Sequence, residues 1–185
     1  STHSFFCDFW DYNFNFWYPL MWCGFTQTLH YHLHLDISNT KTCWDNLSTK
    51  IRTDIRKAQK YNSSIKCLDY GEFRKKFPAI AFGDIKSMRF YDQLNKTLPL
   101  YVNYNTINEQ LASGILISND FHTTYYIDSF NFRKSTGTQS YVIWETICTA
   151  QTISFNFLGS RVPAVDSFFR GFGSIPVPYS CIKYN

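Results

Sequence analysis

Five basic residues, Lys50, Arg52, Arg56, Lys57 and Lys60, fall within eleven positions. Arg52 and Arg56 are four apart, as are Arg56 and Lys60, so on a helix each pair shares a face. Guanidinium groups fork onto phosphate or carboxylate oxygens, and this spacing suits an anion clamp. It equally describes a solvated helix face opposite the apolar stripe Trp44, Leu47, Ile51 and Ile55. His30, His32 and His34 place three imidazoles on one face of a strand. Neighbours on that face stand roughly 7 Å apart, too far to converge on one ion, and no Asp, Glu or Cys completes a ligand set; no metal site is expected. Ser135-Thr136-Gly137-Thr138 lies between a strand and a helix, beside Arg133 and Lys134. Backbone N–H groups at a helix start attract anions, though an ordinary helix cap uses the same letters. Asp128, Glu145 and Asp166 are scattered, so spacing names no acid/base pair, and the nucleotide-loop, nucleophile-elbow and zinc-protease motifs are absent.

Those residues need a scaffold, and the composition can supply one. The chain has 185 residues, 44% hydrophobic, 19% aromatic and 17% charged. This suits one domain with a real core and excludes a disordered chain. A formal charge of +4 permits an anionic ligand without demanding nucleic acid. No window reaches the roughly 18 apolar residues of a membrane span. The richest stretch, Phe14 to Phe25, lacks a basic leader and a cleavage site, so no signal peptide is expected. The cysteines at 7, 23, 43, 67, 148 and 181 show no metal-ligand spacing. An aromatic core of this size needs no disulfides, and a reduced, cytoplasmic chain is the expectation.

The periodicities predict the elements. Residues 1–25 are aromatic without a clean period. Leu29–Ile37 alternates as a strand with one wet face. Cys43–Tyr61 carries Trp44, Leu47, Ile51, Ile55 and Ala58 in steps of three and four, which predicts one helix. Ile65–Leu68 is a short strand; Glu72–Phe77 and Ile85–Leu94 are helices. Leu98–Tyr104, Leu111–Ser118 and Thr123–Phe130 are three strands rich in β-branched and aromatic residues. Ser140–Gln151 is a buried helix, Ile153–Leu158 a strand and Val165–Phe172 a helix. Ile175–Ile182 is a strand whose Pro176 and Pro178 assign it to an edge or bulge. The order gives an α+β layer on one mixed sheet.

Five strings in register resemble a known family. Tyr18-Pro19-Leu20-Met21-Trp22 with Gly24-Phe25 and Gln27-Thr28 is similar to the "PFYW.GF.QT" entry of bacterial GNAT-like proteins related to the FemAB peptidyltransferases. Leu47-Ser48, Ile51-Arg52 and Ile55-Arg56-Lys57-Ala58 resemble "LS..IR..IRKA.K". Trp144-Glu145 with Ile147 and Ala150 resembles "L.WE.I..A". Phe155 to Ser160 resembles "FDFEGS", and Phe168-Phe169-Arg170, Phe172-Gly173 and Pro178-Tyr179 resemble the closing "FFR.FGA..VPY".

The resemblance implies a GNAT-like fold, a mixed and mostly antiparallel sheet with helices on both faces. Residues 26–185 would form that domain, the second half of a two-half protein. Residues 1–25 would be a remnant of the interface to the missing first half, unless a second copy of the chain takes its place. Thr123–Ser129 and Ile153–Leu158 would be the central strands that splay around the donor. The function implied is transfer of an acyl or aminoacyl group to an amine, driven by orientation and backbone donors. Arg52, Arg56 and Lys57 would hold a phosphate-bearing or peptide substrate. Trp22, Gln27, Tyr126, Asp128, Glu145, Asn156, Ser160 and Arg170 would complete its site.

Two departures shape the expectation. The coenzyme A loop of the fold, [QR]xxGx[GA], is here Lys134-Ser135-Thr136-Gly137-Thr138-Gln139. Lys134 and Gln139 break the pattern, so Lys134, Ser135, Thr136 and Gly137 keep an anion site while acyl-coenzyme A is disfavoured. An aminoacyl-tRNA donor fits better, and no bound cofactor is required. Asn156 and Leu158 replace the Asp and Glu of "FDFEGS". A non-catalytic binding module on the same fold is therefore the alternative, and an RNA-binding accessory domain a third.

Overall fold

Alternation along the chain and Gly/Asn turns give eight strands, and these join in one sheet. The computed structural model describes residues 6–9, 22–61, 63–83, 85–133, 136–160 and 162–184. The strands are β1 (Phe6–Phe9), β2 (Phe25–Asp36), β3 (Ser64–Asp69), β4 (Leu100–Ile107), β5 (Gln110–Asn119), β6 (Thr123–Asn131), β7 (Ser154–Asn156) and β8 (Ile175–Tyr184). The helices are α1 (Thr40–Asn46), α2 (Thr49–Gln59), α3 (Tyr70–Lys76), α4 (Ile85–Leu94), α5 (Thr138–Thr149) and α6 (Pro163–Arg170). The strands form one sheet in the order β1-β8-β2-β7-β6-β5-β4-β3. Every pairing is antiparallel except β6 with β7, which α5 connects.

Helices cover both faces. On one, Ile51 and Ile55 of α2, Val142, Ile143 and Ile147 of α5 and Phe169 of α6 pack on Leu33, Leu35, Ile115, Ile117 and Phe155 of the sheet. On the other, Phe73 of α3, Tyr91 of α4 and Phe82 of the loop between them pack on Val102, Tyr104, Leu116 and Phe130. The α+β architecture expected from the sequence, a mixed and mostly antiparallel sheet with helices on both faces, is the architecture observed.

Some boundaries move, each for a local reason. The single helix expected over 43–61 is two. Leu47 is extended (φ −60°, ψ 139°), and Ser48 starts α2 by accepting from the Ile51 N–H at 3.4 Å. The Trp44/Leu47/Ile51 stripe survives because both helices lie on the same core, so periodicity alone hides the break. Strand 153–158 shrinks to 154–156, because the Asn156 carboxamide accepts from the Leu158 N–H at 2.8 Å and turns the chain. Helix α6 starts earlier, with Pro163 at its first turn, and ends before Gly171. Strand β8 lies between β1 and β2 rather than at the sheet's edge, and Pro176 and Pro178 stand opposite Leu33 and Tyr31 of β2 in register. Within the aromatic stretch 1–25, residues 6–9 supply edge strand β1; most of the rest lies outside the described residues. Among the described residues, no helix is long and apolar enough to cross a membrane.

Gly137 (φ +75°) precedes α5, and a Cβ there would overlap the Asp54 carbonyl of α2. This glycine sets how closely two helices meet. Gly137→Ala is expected to destabilise the chain by about 2–3 kcal/mol, through both the clash and the positive φ. Urea denaturation monitored by tryptophan fluorescence measures it, and a loss below about 0.5 kcal/mol would contradict the contact.

Candidate functional site: the parting of two central strands

Strands β6 and β7 pair in parallel at three positions only, Thr123↔Ser154, Thr124↔Phe155 and Tyr125↔Asn156. Beyond them the strands part. Leu158 (φ 57°) and Gly159 (φ 79°) take left-handed backbone, and the Phe157 N–H donates to Leu33 of β2 at 2.9 Å instead. Gly159 is required there, since a Cβ would strike the Tyr31 carbonyl. On the other side, β6 carries one extra residue. Its partners on β5 pass from Leu116↔Asp128 to Ile117↔Tyr126, leaving Ile127 as a bulge. A bulge bends a strand and re-aims its side chains.

That re-aiming separates Tyr126 from Asp128, which ordinary alternation would put on one face. Tyr126 turns toward α5 and α6, 6.0 Å from the Phe157 ring and 5.1 Å from Phe169. Burial holds its phenol above the ordinary value, with the side chains of Ser129 and Gln139 acting the other way. Gln139, in the first turn of α5, keeps a buried amide that makes no well-aligned hydrogen bond among the described residues. Asp128 turns toward α4, where Tyr91 donates to Oδ2 at 2.9 Å and the Ser129 N–H to Oδ1 at 2.7 Å. Tyr91 carries no sequence signal; only the fold brings it 37 positions to Asp128.

Asn156 is fully buried at the end of β7. Its Oδ1 serves Leu158, and its Nδ2 lies 3.4 Å from His32 Nδ1. His32 stands 4.0 Å from the Tyr179 ring and 6.2 Å from His34. The three histidines do share one strand face, spaced as the strand dictates, in a ring column with Tyr179. No group of metal-ligating side chains converges among the described residues. Burial lowers the His34 pKa.

The basic helix lies against α1. Arg52 Nη1 donates to the Asp45 carbonyl at 3.3 Å, and the Arg56 guanidinium sits 5.7 Å from the Trp44 ring centroid. Trp44 in turn meets Trp144 of α5 edge-on at 5.1 Å. Arg56 and Lys57 are exposed. Glu145, on α5, is half-buried, and burial raises its carboxyl above the ordinary value. The other expected site residues lie apart. Trp22 is 78% exposed before β2, and Gln27 faces Ile182 of β8 in register. Ser160 accepts from the Val162 N–H at 3.1 Å, and Arg170 pairs with Asp166 on α6 at 2.7 Å. Thr136 donates to the Arg133 carbonyl. Lys134 and Ser135 lie outside the described residues. The structure thus brings Tyr126, Asp128 and Asn156 to the parting strands and leaves Trp22, Gln27 and Arg170 elsewhere.

No protein-family model matches this chain, and no curated protein matches it. Solved structures do. FemX aligns at a TM-score of 0.62 and 10% identity, over 87% of this chain and 66% of its own. L-PGS from Bacillus licheniformis aligns at 0.56 and 10%, over 89% and 63%. A conserved protein of unknown function from Staphylococcus epidermidis aligns at 0.55 and 14%, over 98% and 72%. These likenesses establish a shared fold. The chain spans about two thirds of the length of FemX and L-PGS.

Glu145 yields a signed pH dependence. Its folded pKa lies above the ordinary 4.5. Its contribution to stability is therefore complete below that value and is lost as pH rises through the folded pKa. Glu145→Gln should raise the melting temperature by about 1–2 °C at pH 7.5, the exposure of the group keeping the effect small, and leave it unchanged near pH 4. Equal shifts at both pH values would show that burial of the charge is not the cause.

Proposed function

We propose that this chain is an acyl- or aminoacyl-transferase of the GNAT/FemAB type, moving an acyl group to an amine acceptor. One observation carries the reading: beyond Tyr125, β6 loses β7 as a neighbour beside the first turn of α5. An unpaired strand edge offers backbone N–H groups to a carbonyl oxygen. In the proposed step, the neutral acceptor amine adds to the donor's ester carbonyl, and the tetrahedral oxyanion rests on the β6 backbone. Collapse breaks the C–O bond; the nitrogen loses a proton to solvent, and the departing tRNA hydroxyl takes one up from solvent. Orientation supplies most of the rate, since no strong base stands at the edge. Asp128, on the same stretch and held by Tyr91, would orient the acceptor amine through one of its N–H groups.

The basic face of α2 would bind the phosphates of donor or acceptor, with the start of α5 around Gly137, Thr136, Ser135 and Lys134 as a second anion contact. Aminoacyl-tRNA is the favoured donor, acyl-coenzyme A the disfavoured one, and no cofactor is required. A phosphate-bearing small molecule or peptide is the proposed acceptor, and the cytoplasm the proposed compartment. A first half of the protein, or a second copy, would complete the acceptor side.

A second reading has its own observation. Tyr126, Phe157 and Phe169 fill the wedge between the parted strands, and Asn156 is engaged in the turn. A filled wedge suits a non-catalytic binding module. A transfer assay with charged tRNA and an amine acceptor separates the two. Transfer that falls at least tenfold in Arg52→Ala/Arg56→Ala, with the melting temperature kept, supports the transferase. Calorimetry with coenzyme A is expected to show affinity weaker than about 100 μM, since a helix start alone is worth roughly 1 kcal/mol. Submicromolar coenzyme A binding would make an acetyltransferase the better reading. Phosphate-ligand binding without transfer would leave the binding module.

A further inference from the structure

The far end of α5 carries a second feature. A cavity of about 500 Å³ opens there, lined from β4 and β5, the start of β6 and the last turn of α5. None of the residues assigned above lines it. Helix α5 has 12 residues, so its two ends are about 18 Å apart. This cavity is therefore separate from the parting strands.

Its lining has one chemical bias. No Lys, Arg or His contributes, although the chain as a whole is +4. Apart from Asp120, the polar lining is amides and hydroxyls, which both donate and accept. Asp120 is the one carboxylate; Oδ1 accepts from the His122 and Thr123 N–H groups and Oδ2 from Tyr125 at 2.7 Å, leaving an acceptor position on Oδ2. Burial works to raise its pKa, but these hydrogen bonds together outweigh it and hold the group ionised below the ordinary range. The last turn of a helix presents carbonyls without intrahelical donors and the negative end of the dipole, and Thr149 and Ala150 bring that turn to the cavity.

The second, independent observation is Asn103, 8% exposed and lining the same cavity. The Thr146 hydroxyl donates its only proton to the Val142 carbonyl at 2.8 Å. It can therefore only accept from Asn103, whose Nδ2 lies at 2.8 Å. This fixes the amide: Nδ2 faces Thr146, and Oδ1 is buried with no partner among the described residues. An unpaired buried acceptor is costly, and a donor from a ligand would relieve it. Tyr101 and Phe121, the latter 97% exposed, add aromatic faces.

We propose that this cavity binds an organic primary amine in its ammonium form. A carboxylate, a helix C-terminus, a buried amide oxygen and aromatic faces each favour a cationic, donor-rich ligand, and an ammonium group donates three hydrogen bonds and accepts none. A carboxylate or phosphate would meet the charge of Asp120 and the negative end of α5. The proposal stands independently of the transferase reading.

Three probes of one chain length test it: 1,4-diaminobutane, 1,4-butanediol and succinate, titrated into the whole chain at pH 7.5 while backbone amide shifts are recorded. The diamine should shift Asn103, Asp120, Phe121 and Thr149 together, bind at least tenfold more tightly than the diol, and leave succinate without effect. Gln151→Lys, an exposed change at the rim, should weaken the diamine about tenfold, and Asn119→Asp should strengthen it several-fold. Arg52→Ala/Arg56→Ala should change nothing, which keeps this outcome separate from the proposed function. A diol that binds as tightly as the diamine, a Gln151→Lys chain that binds it unchanged, or no shift at 10-fold the expected half-saturation of about 1 mM would overturn the proposal.

Discussion

Everything distinctive in this molecule depends on a parallel pairing that stops after three residues. Parallel strands need a crossover, and α5 provides it between β6 and β7. Were the pairing to continue, β6 would be an ordinary central strand with both edges used. It stops because each strand is diverted by its own device. On β7 it is the Asn156 side chain, bonded to Leu158 ahead of two left-handed residues. On β6 it is the extra residue at Ile127. Together the two open the sheet without breaking it, since β7 still pairs with β2 over His34–Asp36.

The opening is energetically tolerable because aromatic residues fill one side of it. Phe157 stacks on Phe169 at 4.7 Å, and Tyr126 meets Phe169 edge-on. Such contacts add to the burial of large rings, and few interactions are stronger per residue. Ion pairs contribute little by comparison. Those formed between described residues, Lys75–Glu72 and Arg170–Asp166, are exposed pairs within single helices. The guanidinium groups of α2 rest instead on a carbonyl and a tryptophan, contacts that leave their charge uncancelled. A chain stabilised by aromatic packing can therefore keep a basic face for an anionic partner.

Much of the fold is legible in the sequence because its elements are strongly patterned. The run Leu98 to Phe130 gives three antiparallel strands, whereas the two prolines of β8 point to an edge and β8 is flanked by β1 and β2. What is illegible is long-range or side-chain driven. The break at Leu47-Ser48 leaves the apolar period intact, so only the cap reveals it. The bulge at Ile127 depends on register with β5, which no local pattern records. Tyr91 reaches Asp128 through packing of α4 on the sheet. Sequence also gave no warning that Gly137 serves a helix contact, because a glycine before a helix reads the same whether it admits a phosphate or the neighbouring Asp54 carbonyl.

The departures at Asn156 and Leu158 acquire a physical meaning from this geometry. A carboxylate at 156 could accept from the Leu158 N–H as the carboxamide does, so the turn alone does not require Asn. The difference lies on the second atom. Nδ2 faces His32 Nδ1, in a buried cluster where His32 also packs on Tyr179. A carboxylate there would be buried against an imidazole and would draw a proton onto it, making a charged pair that costs desolvation. With Asn, the side chain at 156 carries no charge, and the turn it makes with the Leu158 N–H does not depend on a titrating group. Asn156 thus puts a side chain that does not titrate at the end of β7. Among the described residues, the carboxylate that remains on this stretch is Asp128, which the bulge turns to the opposite face, against Tyr91.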